Sequence, residues 1–489
     1  MRARGYLGID LGTSAVKVLI HDDDGAVLAK TSRPYATKAP QPGWAEQDPD
    51  EWWGAVCAAT REAIAEAGVE IASVGLSGQL NGFVLLDAAM RPLADAVIWL
   101  DIRAEAEAGI LAETLDFPAV TGNALSAICV LPKLVWFRAN RPELMERTRR
   151  IALAKDYILL RLTGELATDP CDAHSTAMTG RGGTQFAPDL CALAGVTPQT
   201  MPTIRPAAEI AGRVGAQGAK ASGIAPGTPV ATGAGDVAAL AVGCGIVARG
   251  RTTITLGTAG HVVTEATAPE PRQRHGLWQI PHGIAGRDLW LGLIMTGGLS
   301  LSWFRAILAQ GGAPPAFEAL DRLAAHAPPG SEGAVFLPFL EGVATPYGRP
   351  DARGMFFGLS SAHGTGHMVR AVMEGVAFNA RQCVRAHEAA GAATGEVRLA
   401  EGGAQSPLWC QIMADALRRP VHLIAERDTS AAGAAIVGRA ALEGADVATI
   451  AERSVHIAQV FAPDAEASAA LDDAFARYAH MCERLFGAD

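Results

Sequence analysis

Apolar and polar positions alternate in short runs at the start of the chain. Tyr6-Leu7-Gly8-Ile9-Asp10 is a short apolar strand, Gly12-Thr13-Ser14 a turn, and Ala15 to Ile20 a second strand. Asp22-Asp23-Asp24-Gly25 is another turn, and Ala26 to Thr31 reads as a third strand. Three strands joined by tight turns predict an antiparallel meander. Helical periodicity follows from Asp50 to Ala67, opened by Asp48-Pro49, and Ile71 to Ser77 is a strand. Helices and strands alternate after that, which predicts an α/β fold.

The opening pattern recurs. Arg251 to Leu256 is a β-branched strand, Gly257-Thr258-Ala259-Gly260 a turn, and His261 to Thr264 the return strand. This suggests a duplicated domain, with the boundary at a short crossing near residues 245–250. Residues 1–246 and 247–489 are the expected domains. Glu396 to Ala400 is a strand, followed by a small-residue turn and a helix through Leu417. Thr429 to Glu443 is an Ala-rich helix suited to close packing.

Composition narrows the class. The 489 residues are 49% hydrophobic, which excludes a disordered chain. The net charge of −10 repels phosphate backbones, so nucleic acid is not the expected partner. Eight cysteines form no Cys-x-x-Cys pair, so reduced, buried thiols are expected. The most apolar stretch, Pro229 to Val247, carries Asp236 at its centre and several Gly and Pro breaks. It reads as core strand, turn and core helix, not as a membrane span. Met1 to Tyr6 has no apolar signal region, so a cytoplasmic location is expected. The twelve histidines form no metal set.

Five segments carry candidate chemistry. In Asp10-Leu11-Gly12-Thr13-Ser14 the glycine permits a bend that aims N–H groups at an anion, and Asp10 at a strand end can hold Mg²⁺. The plain alternative is a β-turn whose Asp caps its own backbone. Gly257-Thr258-Ala259-Gly260 has the same two readings. In Thr232-Gly233-Ala234-Gly235-Asp236, Asp236 stands where a helix begins, either as a general base or as an N-cap. Gln79-Leu80-Asn81-Gly82 and Trp99-x-Asp101-x-Arg103 suit sugar hydroxyls, or form a polar turn and a surface ion pair. Glu401-Gly402-Gly403-Ala404-Gln405-Ser406 can seat an adenosine edge or serve as a plain β-α connection. No Walker A sequence is present.

In this order the segments resemble the FGGY carbohydrate kinases of the actin/hexokinase-like superfamily, bacterial xylulokinases above all. The resemblance runs over almost the whole chain. It includes Tyr6 to Lys17, Gly75 to Gly82, Pro132-Lys133-Leu134-x-Trp136, Thr168-Asp169-Pro170 and Gly233-x-Gly235-Asp236. It continues through Leu256-Gly257-Thr258, Phe336 to Phe339, Ala352 to Leu359 and Gly402 to Trp409.

The resemblance implies two ribonuclease-H-like domains around a nucleotide cleft, with ATP and Mg²⁺ as cofactors. It makes Asp236 the catalytic base, and Asp10 and Asp236 the metal carboxylates. Gly12, Thr13, Ser14, Lys17, Gly257 and Thr258 become phosphate-side residues. Gly298, Gly402, Gly403, Ala404 and Ser406 become nucleotide-side residues. Gln79, Leu80, Asn81, Trp99, Asp101, Arg103 and Asp236 become the sugar contacts. The implied reaction transfers the γ-phosphate of ATP to a primary hydroxyl of a ketopentose, D-xylulose first. Ribulose, erythritol, xylitol and glycerol are the alternative acceptors, and a non-catalytic sugar or nucleotide sensor is the alternative class. A homodimer is expected by analogy alone. Two departures from the usual pattern bear on substrate. Leu80-Asn81 replaces Met-His, and Val237 follows the base where a polar residue is common.

Overall fold

The structure is a computed structural model that describes residues 4–266, 276–309 and 311–487. The chain divides into two compact units. The first holds Met1–Val247, Gln279–Leu289 and Asp428–Val455, and the second holds Ala248–Trp278, Trp290–Arg427 and His456–Asp489. Val247 is thus one of several crossings.

The first unit is built on a mixed sheet. Its strands run in the order Ile210–Arg213, Pro229–Ala231, Glu70–Gly78, Arg4–Leu11, Ala15–His21, Val27–Pro34. Arg4–Leu11 pairs antiparallel with Ala15–His21 and parallel with Glu70–Gly78. Its residues from Gly5 on are all buried, as expected of a strand covered on both faces. Val27–Pro34 lies at the sheet edge and alternates between buried and exposed positions. Helix Pro49–Ala67 starts at the Asp48 cap, whose side chain accepts from the Asp50 N–H, and stops at Gly68 with φ 64°.

Helix Thr429–Glu443 lies against this sheet, because both surfaces are stripped to small residues. A Cβ on Gly8 would collide with the Ala431 carbonyl, and one on Gly75 with the Ala434 carbonyl. Gly433 meets helix Asp236–Gly243 in the same way. Close backbone approach over three elements is what draws residues 428–455 into the first unit. A second, four-stranded sheet of Glu46–Gln47, Ala96–Val97, Phe83–Leu86 and Arg150–Leu153 is antiparallel throughout, a feature the sequence pattern did not reveal.

The second unit repeats the plan. Arg251–Thr255 pairs antiparallel with Gly260–Glu265 and parallel with Glu396–Ala400. The duplication read from the sequence is therefore a duplicated hairpin with a parallel third strand. Val421–Ile424 and Ile457–Phe461 extend the sheet beyond Glu396–Ala400, with helices Thr365–Ala389, Pro407–Leu417 and Ala465–Phe486 supplying the apolar core. All eight cysteines are buried, and none is joined in a disulfide. Among the described residues, no helix is long and apolar enough to cross a membrane.

Candidate active site

In the first unit, three neighbouring strand ends carry the chemistry. Asp10 is in register with Ser77, and Ser77 with Ala234, so Asp10 and the start of helix Asp236–Gly243 share one end of the sheet. Asp10 is buried and accepts from Ser77 Oγ at 2.8 Å. Burial raises its carboxyl above the ordinary range, while the Ser77 bond and the Lys17 charge pull it back. Asp236 begins its helix, is half-buried, and accepts from the Val237 N–H at 2.8 Å.

The Gly12-Thr13-Ser14 turn is held from several sides. Gly12 N–H donates to the Ala15 carbonyl at 3.2 Å, and Trp99 Nε1 donates to Thr13 Oγ1 at 2.8 Å. Gln47 Nε2 donates to the Thr13 carbonyl at 2.6 Å. Lys17, on the return strand opposite Asp10, lies 2.9 Å from Asp428, which also meets Lys30 at 3.0 Å.

The strand Glu70–Gly78 runs on into Gln79, Leu80 and Asn81. Gln79 Nε2 donates to Gln47 Oε1 at 3.0 Å, and Leu80 packs onto Gly235, where a Cβ would strike its Cδ2. Asn81 sits in the left-handed region with φ 62° and is buried. Gln79 Oε1 and Asn81 Oδ1 are both buried without a hydrogen-bond partner among the described residues. Buried acceptors of this kind carry a cost of ~1–3 kcal/mol each until a donor arrives.

Asp101 and Arg103 are turned inward. Arg103 donates to Asp101 through Nε at 2.8 Å and to Glu46 at 2.6 Å, and its guanidinium lies 3.7 Å from the Trp44 ring centre. Its side chain is 1% exposed. Asp101 Oδ2 also accepts from the Ala45 N–H at 2.7 Å. This pair buttresses the Trp99 segment, together with Lys133, which is buried and donates to the Ile98 carbonyl at 2.7 Å.

Behind Asp236 lies a buried charge cluster that the sequence reading did not assign. Lys155 meets Asp156 at 2.7 Å, Asp169 at 3.1 Å and Asp172 at 3.2 Å. Burial alone would lower Lys155, but the three carboxylates hold its pKa well above normal. Burial, added to its acidic neighbours, raises Asp172 above the ordinary carboxylate range, while the Lys155 charge pulls it back. Asp169 accepts from the Gly235 N–H at 3.1 Å and so fixes the residue just before Asp236.

The second unit holds a cavity of about 470 Å³, a size suited to a small organic ligand. Gly257, Thr258, Gly298, Gly402, Gly403 and Ser406 line it, with Trp409 and Asp321. Gly298 N–H donates to the Gly257 carbonyl at 2.7 Å and Leu299 N–H to the Thr258 carbonyl at 3.1 Å, which ties the turn to helix Gly298–Leu308. Ala404 is buried behind the wall. Glu401 adopts φ 71°, ψ −164°, a conformation otherwise left to glycine, and its carboxylate lies over Gly257.

The sequence segments picked out separately thus converge into one polar sheet end in the first unit and one cavity in the second. Gln47, Lys155 and Asp169 were without assigned roles. An adjacent Lys155-Asp156 inside the apolar run Ile151 to Leu160 is a readable sign of a buried ion pair. Gln47 gave no such sign, since its importance lies in hydrogen bonds formed only on folding.

Comparison with known proteins gives the family. Residues 5–243 match the FGGY family of carbohydrate kinases, N-terminal domain, and residues 252–442 match its C-terminal domain. The chain is 33% identical over 414 residues to the xylulose kinase of Escherichia coli, covering 84% of each chain. It is 29% identical over 449 residues to the gluconokinase of Bacillus subtilis, covering 88% of this chain and 86% of that one. Its fold matches the crystal structure of a kinase from Brucella ovis titled "xyloylose kinase" with a TM-score of 0.91 and 33% identity. That match covers 99% of this chain and all of the other. The chain belongs to the FGGY family of carbohydrate kinases and is, like them, an α/β phosphotransferase that uses ATP to phosphorylate an alcohol group of a carbohydrate.

Proposed function

We propose that the acceptor is D-xylulose and the product D-xylulose 5-phosphate. The sugar binds the first unit against Gln79, Leu80, Asn81 and Trp99, and the nucleotide binds the cavity of the second. Gly12 to Ser14 and Gly257-Thr258 serve the phosphates. The observation that carries the reading is the pair of orphaned buried acceptors, Gln79 Oε1 and Asn81 Oδ1, on the same sheet end as Asp236. A polyhydroxylated ligand supplies the donors that these oxygens lack.

Asp236 is the general base. As the primary hydroxyl oxygen attacks the γ-phosphorus, its proton passes to the Asp236 carboxylate. The bond from the γ-phosphorus to the bridging oxygen breaks and ADP leaves. Loop N–H groups aimed at the phosphoryl oxygens stabilise the spreading charge. Asp101 and Arg103 position Trp99 and act on the sugar through it.

Asp10 and Asp236 fit a Mg²⁺ ion. Both offer carboxylate oxygens at one sheet end, and Mg²⁺ is usually bound by one or two carboxylates, with phosphate and water completing the shell. When bound, the ion neutralises charge on the phosphate oxygens.

Gluconate is the second reading, favoured by the B. subtilis relative. A coupled ADP-release assay over D-xylulose, D-ribulose, L-ribulose, L-xylulose, xylitol, erythritol, glycerol and gluconate decides between them. The highest kcat/KM on D-xylulose supports the proposal. A higher value on any other acceptor replaces it.

A further inference from the structure

We propose that Gln47 is a positioning residue that sets which end of the Gln79 amide meets the sugar and, with the same side chain, anchors the first phosphate turn. The proposal rests on the reading of Gln79 to Asn81 as the sugar turn and Gly12 to Ser14 as a phosphate turn.

Gln47 lies in the two-residue strand Glu46–Gln47 and is fully buried. Its amide makes four hydrogen bonds. Nε2 donates to the Thr13 carbonyl at 2.6 Å and to Thr37 Oγ1 at 2.7 Å. Oε1 accepts from Trp52 Nε1 at 2.9 Å and from Gln79 Nε2 at 3.0 Å. A glutamine amide has two donors and two lone pairs on oxygen, so this one is saturated.

Its orientation is forced. The indole N–H of Trp52 only donates, so it must face the amide oxygen. The Thr13 carbonyl only accepts, so it must face the NH₂ group. A flipped Gln47 would break both contacts. With Gln47 fixed, Gln79 is fixed too, because its NH₂ must meet Gln47 Oε1. The Gln79 oxygen is left pointing elsewhere, buried and without a partner among the described residues. A sugar that reaches Gln79 in the proposed site then meets an acceptor and must donate a hydroxyl there. A run of aligned hydrogen bonds, from Gln79 through Gln47 to the Thr13 carbonyl, also strengthens each member by polarisation.

Two substitutions separate the two arms. Gln47→Glu keeps an oxygen for Trp52 and Gln79 but cannot donate to the Thr13 carbonyl. Gln47→Met keeps the length and loses every hydrogen bond. The probe is D-xylulose with MgATP, and steady-state kinetics are read beside thermal unfolding and the sugar-independent rate of ATP hydrolysis. Gln47→Glu is expected to lower kcat about tenfold and raise the ratio of hydrolysis to transfer, with KM for the sugar held within about threefold. Gln47→Met is expected to raise KM for the sugar about tenfold as well.

Equal losses of kcat in both variants that follow only the loss of thermal stability, with no split in KM, would overturn the proposal. So would unchanged kinetics in Gln47→Met while Thr13→Ala and Asn81→Ala are impaired. If Thr13→Ala and Asn81→Ala are also unchanged, the failure belongs to the reading of the site on which the proposal rests.

Discussion

Replacing Asp169 by Asn isolates the support that stands behind Asp236. The groups that hydrogen-bond or pair with the Asp169 carboxylate among the described residues are donors. Oδ1 takes the Gly235 N–H at 3.1 Å and Lys155 Nζ at 3.1 Å, and Oδ2 takes the Cys171 N–H at 2.9 Å. Asparagine keeps the shape but brings one NH₂ group into a ring of donors. If its oxygen faces Gly235 and Lys155, its NH₂ faces the Cys171 N–H, and that bond is replaced by an opposed pair. The lost bond costs ~1–3 kcal/mol. Removing one carboxylate from Lys155 adds to this, but Asp156 remains at 2.7 Å, so the ~3–5 kcal/mol of a fully broken buried pair is not reached. A total of about 3 kcal/mol is expected, read as a lower urea midpoint. The Gly235 turn loosens with it, and misplacement of Asp236, the proposed base, by ~1 Å would cost about a hundredfold in kcat. KM for ATP should hold, since the cavity proposed for the nucleotide lies in the second unit. A variant with an unchanged urea midpoint and kcat within twofold of the parent would refute the reasoning.

Three further outcomes follow from the packing and the electrostatics. Gly75→Val drives a side chain into the Ala434 carbonyl, which belongs to a helix backbone and cannot step aside. The loss should exceed the ~1–3 kcal/mol of ordinary overpacking and appear as insoluble expression or a strongly lowered unfolding midpoint. Glu401→Gly relieves a backbone held at φ 71°, ψ −164°, so after the entropy cost of glycine the thermal midpoint should rise by an amount equal to ~1 kcal/mol. Lys133, pushed down to about 7 by burial, is protonated in the unfolded chain up to its ordinary pKa. The folded protein therefore bears a cost that is fully present near pH 7 and shrinks as pH rises towards 10. Lys133→Met, which abolishes that cost along with the bond to the Ile98 carbonyl, should gain most over the parent near pH 7 and lose the advantage at pH 10 in parallel urea titrations. A gap that widens with pH would contradict this.

The hairpins and the helices were legible because their signals are local. Period-2 runs around Gly12 and Gly257 gave the two turns, and Asp48-Pro49 gave the first helix. The Ala-rich run from Thr429 announced close packing, yet not its destination. That destination depends on Gly8 and Gly75, more than 350 residues earlier, which leave room for the Ala431 and Ala434 carbonyls. The antiparallel sheet of Glu46–Gln47, Ala96–Val97, Phe83–Leu86 and Arg150–Leu153 escaped notice, because two of its strands have only two residues and carry no period. In the site, residues that stand at strand ends were found from turn chemistry. Residues that hold others in place, such as Gln47 and Asp169, were not, since a polar side chain in sequence does not say whom it will face. Arg103 shows the converse. Its type suggested a sugar contact, while its folded partners are Asp101, Glu46 and the Trp44 ring.

The central claim is that Asp236 removes the proton from a sugar hydroxyl as the phosphoryl group arrives. Rapid-quench single turnovers with γ-labelled MgATP and D-xylulose test it in the parent and in Asp236→Asn. Asp236 accepts from the Val237 N–H, and an asparagine of the same shape keeps that acceptor, so the variant should fold as the parent does. Label transfer to the sugar should fall by ~10²–10⁴-fold, the usual contribution of a general base, with the unfolding midpoint unchanged. Transfer at a rate within a few-fold of the parent would contradict the account.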